Sequence, residues 1–111
     1  MNIDDYQEWT EETAMGHATS TTEGISQEDA VIFLSLALNG EAGEVAEKSK
    51  RVLRGDGDLE SVEDEIGDVL WYLARLADEL GVSLSDITAE NIGKLEDRHE
   101  RGVIAGSGDE R

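Results

Sequence analysis

Cysteine is absent from the 111 residues. That excludes a disulfide framework, thiolate metal sites and a cysteine nucleophile. Proline is absent too, so nothing forces a break inside a helix. Basic side chains are scarce: 9 Lys and Arg stand against 27 Asp and Glu, a net charge of −18. Such a charge opposes a phosphate backbone and an anionic lipid surface alike, so neither nucleic acid nor membrane is expected as a partner. Long apolar runs are missing, so no bilayer span is expected. Met1 leads directly into acidic residues with no basic stretch, so no secretory signal is expected and the cytoplasm is the expected location. What is present is an ordinary apolar content. Hydrophobic residues make up 38% of the chain and 12 glycines add to them, which is normal for a folded domain and not for a disordered acidic tail. The length suits one small domain over residues 1–111, with an N-terminal helix and loop over 1–25 and a flexible tail over 103–111.

Only three lysines occur, Lys48, Lys50 and Lys94, beside six arginines. An acid-rich, lysine-poor surface suits a protein that stays soluble in concentrated salt, where a Debye length of about 3 Å at 1 M screens self-repulsion. A halophilic source is therefore expected.

The dominant apolar period is helical, and no hairpin signal interrupts it. The expected class is all-α: a four-helix protomer with a long second helix, assembling into a helical-bundle oligomer. Helix 1 is expected over Asp4 to Met15, with Tyr6, Trp9 and Thr13 on one face. A small, polar stretch follows to Gly24. Ser26 caps helix 2, with Asp29 as its capping-box partner, and this helix runs to about Arg54 before Gly55-Asp56-Gly57. Asp58 or Ser61 opens helix 3, which closes at Leu80-Gly81; Ser83 opens helix 4, which stops at Gly102. A rod of ~29 residues at 1.5 Å each is ~43 Å long, far more than a globule of this size accommodates. It must bend, with Gly40 and Gly43 as places to do so, or pack on another subunit.

Seven pairs of acids lie three residues apart, about what chance gives at this acid content, so spacing alone proves nothing. Position discriminates. Phe33, Ala37, Glu41 and Glu44 follow one another by helical steps, as do Glu65, Asp68 and Tyr72 beside the apolar series Val62, Ile66, Val69, Leu73 and Leu76. Both acid pairs thus border the expected core face. Four carboxylates placed there repel one another, and a hard divalent cation, Mg²⁺, removes that cost. Gly43 and Gly67, inside the two motifs, would let the helices approach closely at the metal. The alternative is a salt-adapted acidic face with fortuitous spacing. Glu47 reads as a further ligand, a water-orienting group or a surface charge. Asn91, Lys94 and Arg98 share one face of helix 4 and suit phosphate oxygens, or else pair with Glu90, Glu96 or Asp97.

Glu41-x-x-Glu44, a gap, then Glu65-x-x-Asp68 resembles the signature of the MazG-type nucleotide pyrophosphohydrolases. The likeness extends over Gly40 to Leu80, through Asn91-Ile92-Gly93-Lys94-Leu95-Glu96-Asp97-Arg98, and into Gly102-Val103-Ile104-x-Gly106-Ser107-Gly108-Asp109-x-Arg111. The resemblance implies an all-α fold and hydrolysis of a nucleoside triphosphate to monophosphate and pyrophosphate. It implies Mg²⁺, with Mn²⁺ as its substitute, held by Glu41, Glu44, Glu65 and Asp68, and a homodimer or homotetramer with sites at helix interfaces. Glu41 or Glu44 would accept the proton of the attacking water. Lys48, Asn91, Lys94 and Arg98 would serve phosphate, with Arg101 and Arg111 as weaker candidates.

Trp9 and Tyr72 are the chosen stacking surfaces for a base, although core packing also accounts for them. His17 could hydrogen-bond a base or simply be exposed. Glu96-x-x-His99 matches one half of a di-iron motif, but no second copy exists. Two rival functions stay open: a non-catalytic acidic helical module that binds a protein, and a dedicated phosphoribosyl-ATP-type pyrophosphohydrolase.

Overall fold

The computed structural model describes residues 1–14 and 24–111. Four helices follow in order: α1 Ile3–Ala14, α2 Gln27–Arg54, α3 Leu59–Glu79 and α4 Leu84–Glu100. No strand occurs among the described residues. Met15, the threonine-rich run and His17 lie outside them.

Local chemistry sets the boundaries. The Ser26 hydroxyl accepts from the Asp29 N–H, the Asp58 carboxylate from the Ser61 N–H, and the Ser83 hydroxyl from the Asp86 N–H. Each satisfies one of the free donors at a helix start. Gly55 ends α2 in the left-handed region, at φ 88°, a conformation that a side chain resists. Two residues on, a Cβ at Gly57 would stand 2.8 Å from the Arg51 Cβ. Glycine there lets the chain turn tightly, and α2 and α3 fold into a helical hairpin across residues 55–58.

The buried stripe of α2 runs through Ala30 and Leu34 and continues, half-buried, through Ala37, Leu38, Glu41, Val45 and Val52. It is rotated from the expected one, because Phe33 is 43% exposed whereas Leu34 is 2% exposed. On α3, likewise, Ile66 and Leu73 face outward, and the inner stripe is Val62, Glu65, Val69, Tyr72 and Leu76. The closest-packed apolar cluster is Ala74, Ala77 and Leu84 with Tyr6 against it, where α1 lies over the corner between α3 and α4.

On α1 the buried residues are Gln7, Thr10 and Ala14; of the expected face Tyr6 is half-buried against the core cluster, whereas Trp9 and Thr13 are exposed. The Gln7 and Thr10 side chains can be buried there because each finds a partner, whereas the buried Arg75 Nε has none among the described residues. The Gln7 amide donates to the Val82 carbonyl (2.9 Å) and to Asp78 (3.4 Å), and its oxygen accepts the Leu84 N–H (2.7 Å). Thr10 Oγ1 donates to the Gln7 carbonyl and accepts from Arg75 Nη1 (3.2 Å), which also reaches Asp78 at 3.0 Å. Asp4 holds the start of α4 by accepting from Ser85 N and Oγ.

Beyond α4 three guanidiniums hold the chain, with Arg101 Nη2 donating to the Arg111 carbonyl. Arg98 Nη2 donates to the Asp109 carbonyl at 2.8 Å, and Arg111 donates to the carbonyls of Val103, Ile104 and Gly108. No helix is long and apolar enough to cross a membrane among the described residues.

Candidate metal centre

Where α2 and α3 meet, three acids gather: Glu41 and Glu65, half-buried on the inner stripes, and Asp68, exposed beside them. Glu41 comes from α2, and Glu65 and Asp68 from α3; one carboxylate oxygen of each lies within 4.8 Å of the others. Ligands of Mg²⁺ at about 2.1 Å stand about 3.0 Å apart when adjacent and about 4.2 Å apart when opposite, so the three oxygens lie near enough for one such ion to draw them together. All donors are hard oxygens, which suit Mg²⁺ or Mn²⁺. Among the described residues no Lys or Arg pairs with any of the three; the ion pairs lie at Glu47, Asp56, Asp78 and Asp97. The residues present therefore fit a divalent cation, because no cation among the described residues pairs with them. Burial, followed by the charges of Asp68, Glu65 and Glu44, pushes the Glu41 carboxyl above its ordinary value.

Glu44 is exposed and stands outside the trio. Three residues past Glu41 is 300° around the helix, so it sits about 60° off the inner stripe, near enough for its charge to be felt by Glu41. Glu47 turns away. It pairs with Lys50 (2.8 Å) and Arg51 (3.4 Å), and those contacts hold its carboxyl below the ordinary range. The expectation for Gly43 and Gly67 is overturned: both are exposed, and a Cβ at either would meet nothing within 4 Å. They sit off the interhelical seam, so close helix approach does not explain them.

Beside the trio an open pocket of about 310 Å³ is lined by Glu41, Asp68, Trp71 and Tyr72, at the lower end of the range for small-molecule sites. The rings of Trp71 and Tyr72 meet edge-to-face with centroids 5.0 Å apart. The Tyr6 phenol of α1 is pushed above the ordinary value, by burial first and then by the Asp68 charge. Of the two chosen stacking residues, Tyr72 lines this pocket. Trp9 is 44% exposed, tilted against Tyr6 at 6.0 Å, and is not part of the pocket wall. Trp71 is the wall residue that sequence reasoning passed over. Its place one helical turn after Asp68, beside Tyr72, is the signal that marks it.

The cations stand apart. Lys48 is half-buried on α2, whereas Asn91 and Lys94 are exposed on α4, which packs on α1. Arg98 is 5% exposed and holds the Asp109 carbonyl. Among the described residues no hydrogen bond or ion pair joins these four to the acid trio. Asp97 pairs with Arg101 at 2.9 Å, not with Lys94 or Arg98. Glu96 and His99 join no metal-sized cluster among the described residues.

Residues 31–103 match the model of the MazG nucleotide pyrophosphohydrolase domain. The Gene 37 protein of Mycobacterium phage L5 is 40% identical over 117 residues, covering 100% of both chains. No solved structure matches.

Proposed function

Since the chain belongs to the MazG nucleotide pyrophosphohydrolase family, we propose that it hydrolyses nucleoside triphosphates to the monophosphate and pyrophosphate, a house-cleaning activity on the nucleotide pool. The observation that supports this best is the unneutralised trio of Glu41, Glu65 and Asp68 beside an aromatic-walled pocket. In this reading Glu41, Glu44, Glu65 and Asp68 hold Mg²⁺, with Mn²⁺ as its substitute. When bound, the cation screens the phosphate charge and makes a water easier to deprotonate. Water attacks phosphorus in line, its proton passes to the carboxylate of Glu41 or Glu44, and pyrophosphate leaves. Tyr72 and Trp71 receive the base, with Trp9 nearby on α1. Lys48, Asn91, Lys94 and Arg98 take the phosphate charge.

A homodimer or homotetramer belongs to the same reading. The radius of gyration is 16.6 Å, against about 13 Å for a compact chain of this length. The accessible surface is 7586 Å², against roughly 6,000 Å² for a compact monomer of this mass. The excess is larger than the roughly 800 Å² per partner that a stable interface takes. Ile32 and Leu36 on α2 and Ile66 and Leu73 on α3 are among the apolar side chains left uncovered. A second copy on these faces would bury them and could bring the cations of its α4 to the acid trio.

The test is a pyrophosphate-release screen with Mg²⁺ across ribo-, deoxyribo- and modified triphosphates, at low and high salt. Release from at least one triphosphate, lost in Asp68→Asn, supports the proposal. No release from any, with the helical fold intact and Mg²⁺ present, overturns it.

A further inference from the structure

The pocket wall is set from outside the pocket. The Trp71 indole N–H, which can only donate, bonds to Thr13 Oγ1 on α1 at 2.9 Å. The Thr13 hydroxyl has one proton, and it goes to the Thr10 carbonyl at 3.1 Å. Its lone pair is thus left aimed at the indole. One turn along, Thr10 Oγ1 accepts from Arg75 Nη1. Thr10 and Thr13, three apart on α1, therefore meet Trp71 and Arg75, four apart on α3, so the two bonds form a register between the helices. Trp71 in turn meets Tyr72 edge-on, and both rings line the pocket that Glu41 and Asp68 share. Thr13 itself is not part of that wall.

We infer that Thr13 is a positioning residue: through the Trp71 indole it fixes the aromatic wall against which the base of the nucleotide rests, and so governs substrate affinity without touching substrate. This rests on the pyrophosphohydrolase reading above. A hydroxyl on the neighbouring helix, outside both the pocket wall and the acid trio, should alter binding in the ground and transition states equally, which moves KM and leaves kcat.

The experiment compares wild type, Thr13→Val and Thr13→Ser with the best triphosphate from the screen, and follows the two indole N–H signals by ¹H–¹⁵N NMR. The Trp71 signal is assigned by its loss in Trp71→Phe. Valine keeps the shape and removes the acceptor. In Thr13→Val, KM is expected to rise about fivefold with kcat within about twofold, the factor for one neutral hydrogen bond of about 1 kcal/mol. The Trp71 indole proton is expected to shift upfield and exchange faster. Thr13→Ser restores both. Where valine unfolds the chain, Thr13→Ala carries the same expectations. An unchanged KM in an active enzyme overturns the inference, whether or not the indole signal moves. So does a fall in kcat that serine fails to rescue. A wild type that acts on no triphosphate overturns the pyrophosphohydrolase reading and takes this inference with it.

Discussion

Replacing Glu41 by Gln should make the metal-free protein more stable. Glu41 has two like-charged neighbours, Glu65 and Asp68, within 4.8 Å. At that separation each repels it by about 0.9 kcal/mol in water-like surroundings. A screening length of about 8 Å at physiological salt reduces this to about 0.5 kcal/mol. Two neighbours give about 1 kcal/mol, or a Tm about 4 °C higher for a chain of this size. The sign also fixes the pH dependence. The folded protein holds the Glu41 proton more tightly than the unfolded chain does. Stability from the protonated form is therefore complete below the unfolded value and is lost as pH rises through the folded one. The gap between variant and wild type should be largest near neutral pH and close in acid. Thermal unfolding in EDTA, at pH 7 and in acid, measures both. With Mg²⁺ added the order should reverse, since only the wild type keeps the full ligand set and gains Tm by mass action. A Glu41→Gln protein that melts lower than wild type in EDTA, or gains as much from Mg²⁺, would refute the idea that these carboxylates are held together for a cation.

Three further outcomes are expected. Gln7→Leu removes three hydrogen bonds and strands the buried Leu84 N–H, so chemical denaturation should show a loss of about 2–4 kcal/mol. Asp68→Asn and Glu44→Gln should each lower pyrophosphate release by at least about 100-fold, as expected for groups that hold or orient a metal, while circular dichroism stays helical; full activity in both would place the site elsewhere. Molar KCl should raise the Tm of the wild type by screening its net charge of −18, and equal melting in dilute buffer and KCl would count against salt adaptation.

The helix ends were legible because they are local. Ser26, Asp58 and Ser83 act within three residues of themselves, and Gly55, Gly81 and Gly102 all adopt positive φ. Glu41 and Glu65 were legible because acids on a stripe that is otherwise apolar need a reason, and Asp68 because it stands about one helical turn past Glu65. The rotation of that stripe was not. Phe33 and Leu34 are equally apolar, and only the packed partner decides that Leu34 goes in. Arg75 was invisible because its burial depends on Thr10, 65 residues away. Gln7 likewise depends on Leu84, 77 residues away. Arg98 illustrates the same limit: its spacing with Lys94 suggested an anion, but its guanidinium lies against the tail.

That tail has a chemical consequence of its own. In a chain with 27 acids, Arg98 and Arg111 fasten it to peptide carbonyls rather than to carboxylates. Amide oxygens do not titrate in the range where carboxylates do, and the guanidinium stays charged throughout. The bonds that Arg98 and Arg111 make to the tail therefore involve no group that acid discharges, so this part of the C-terminal wrap is built to ignore protons.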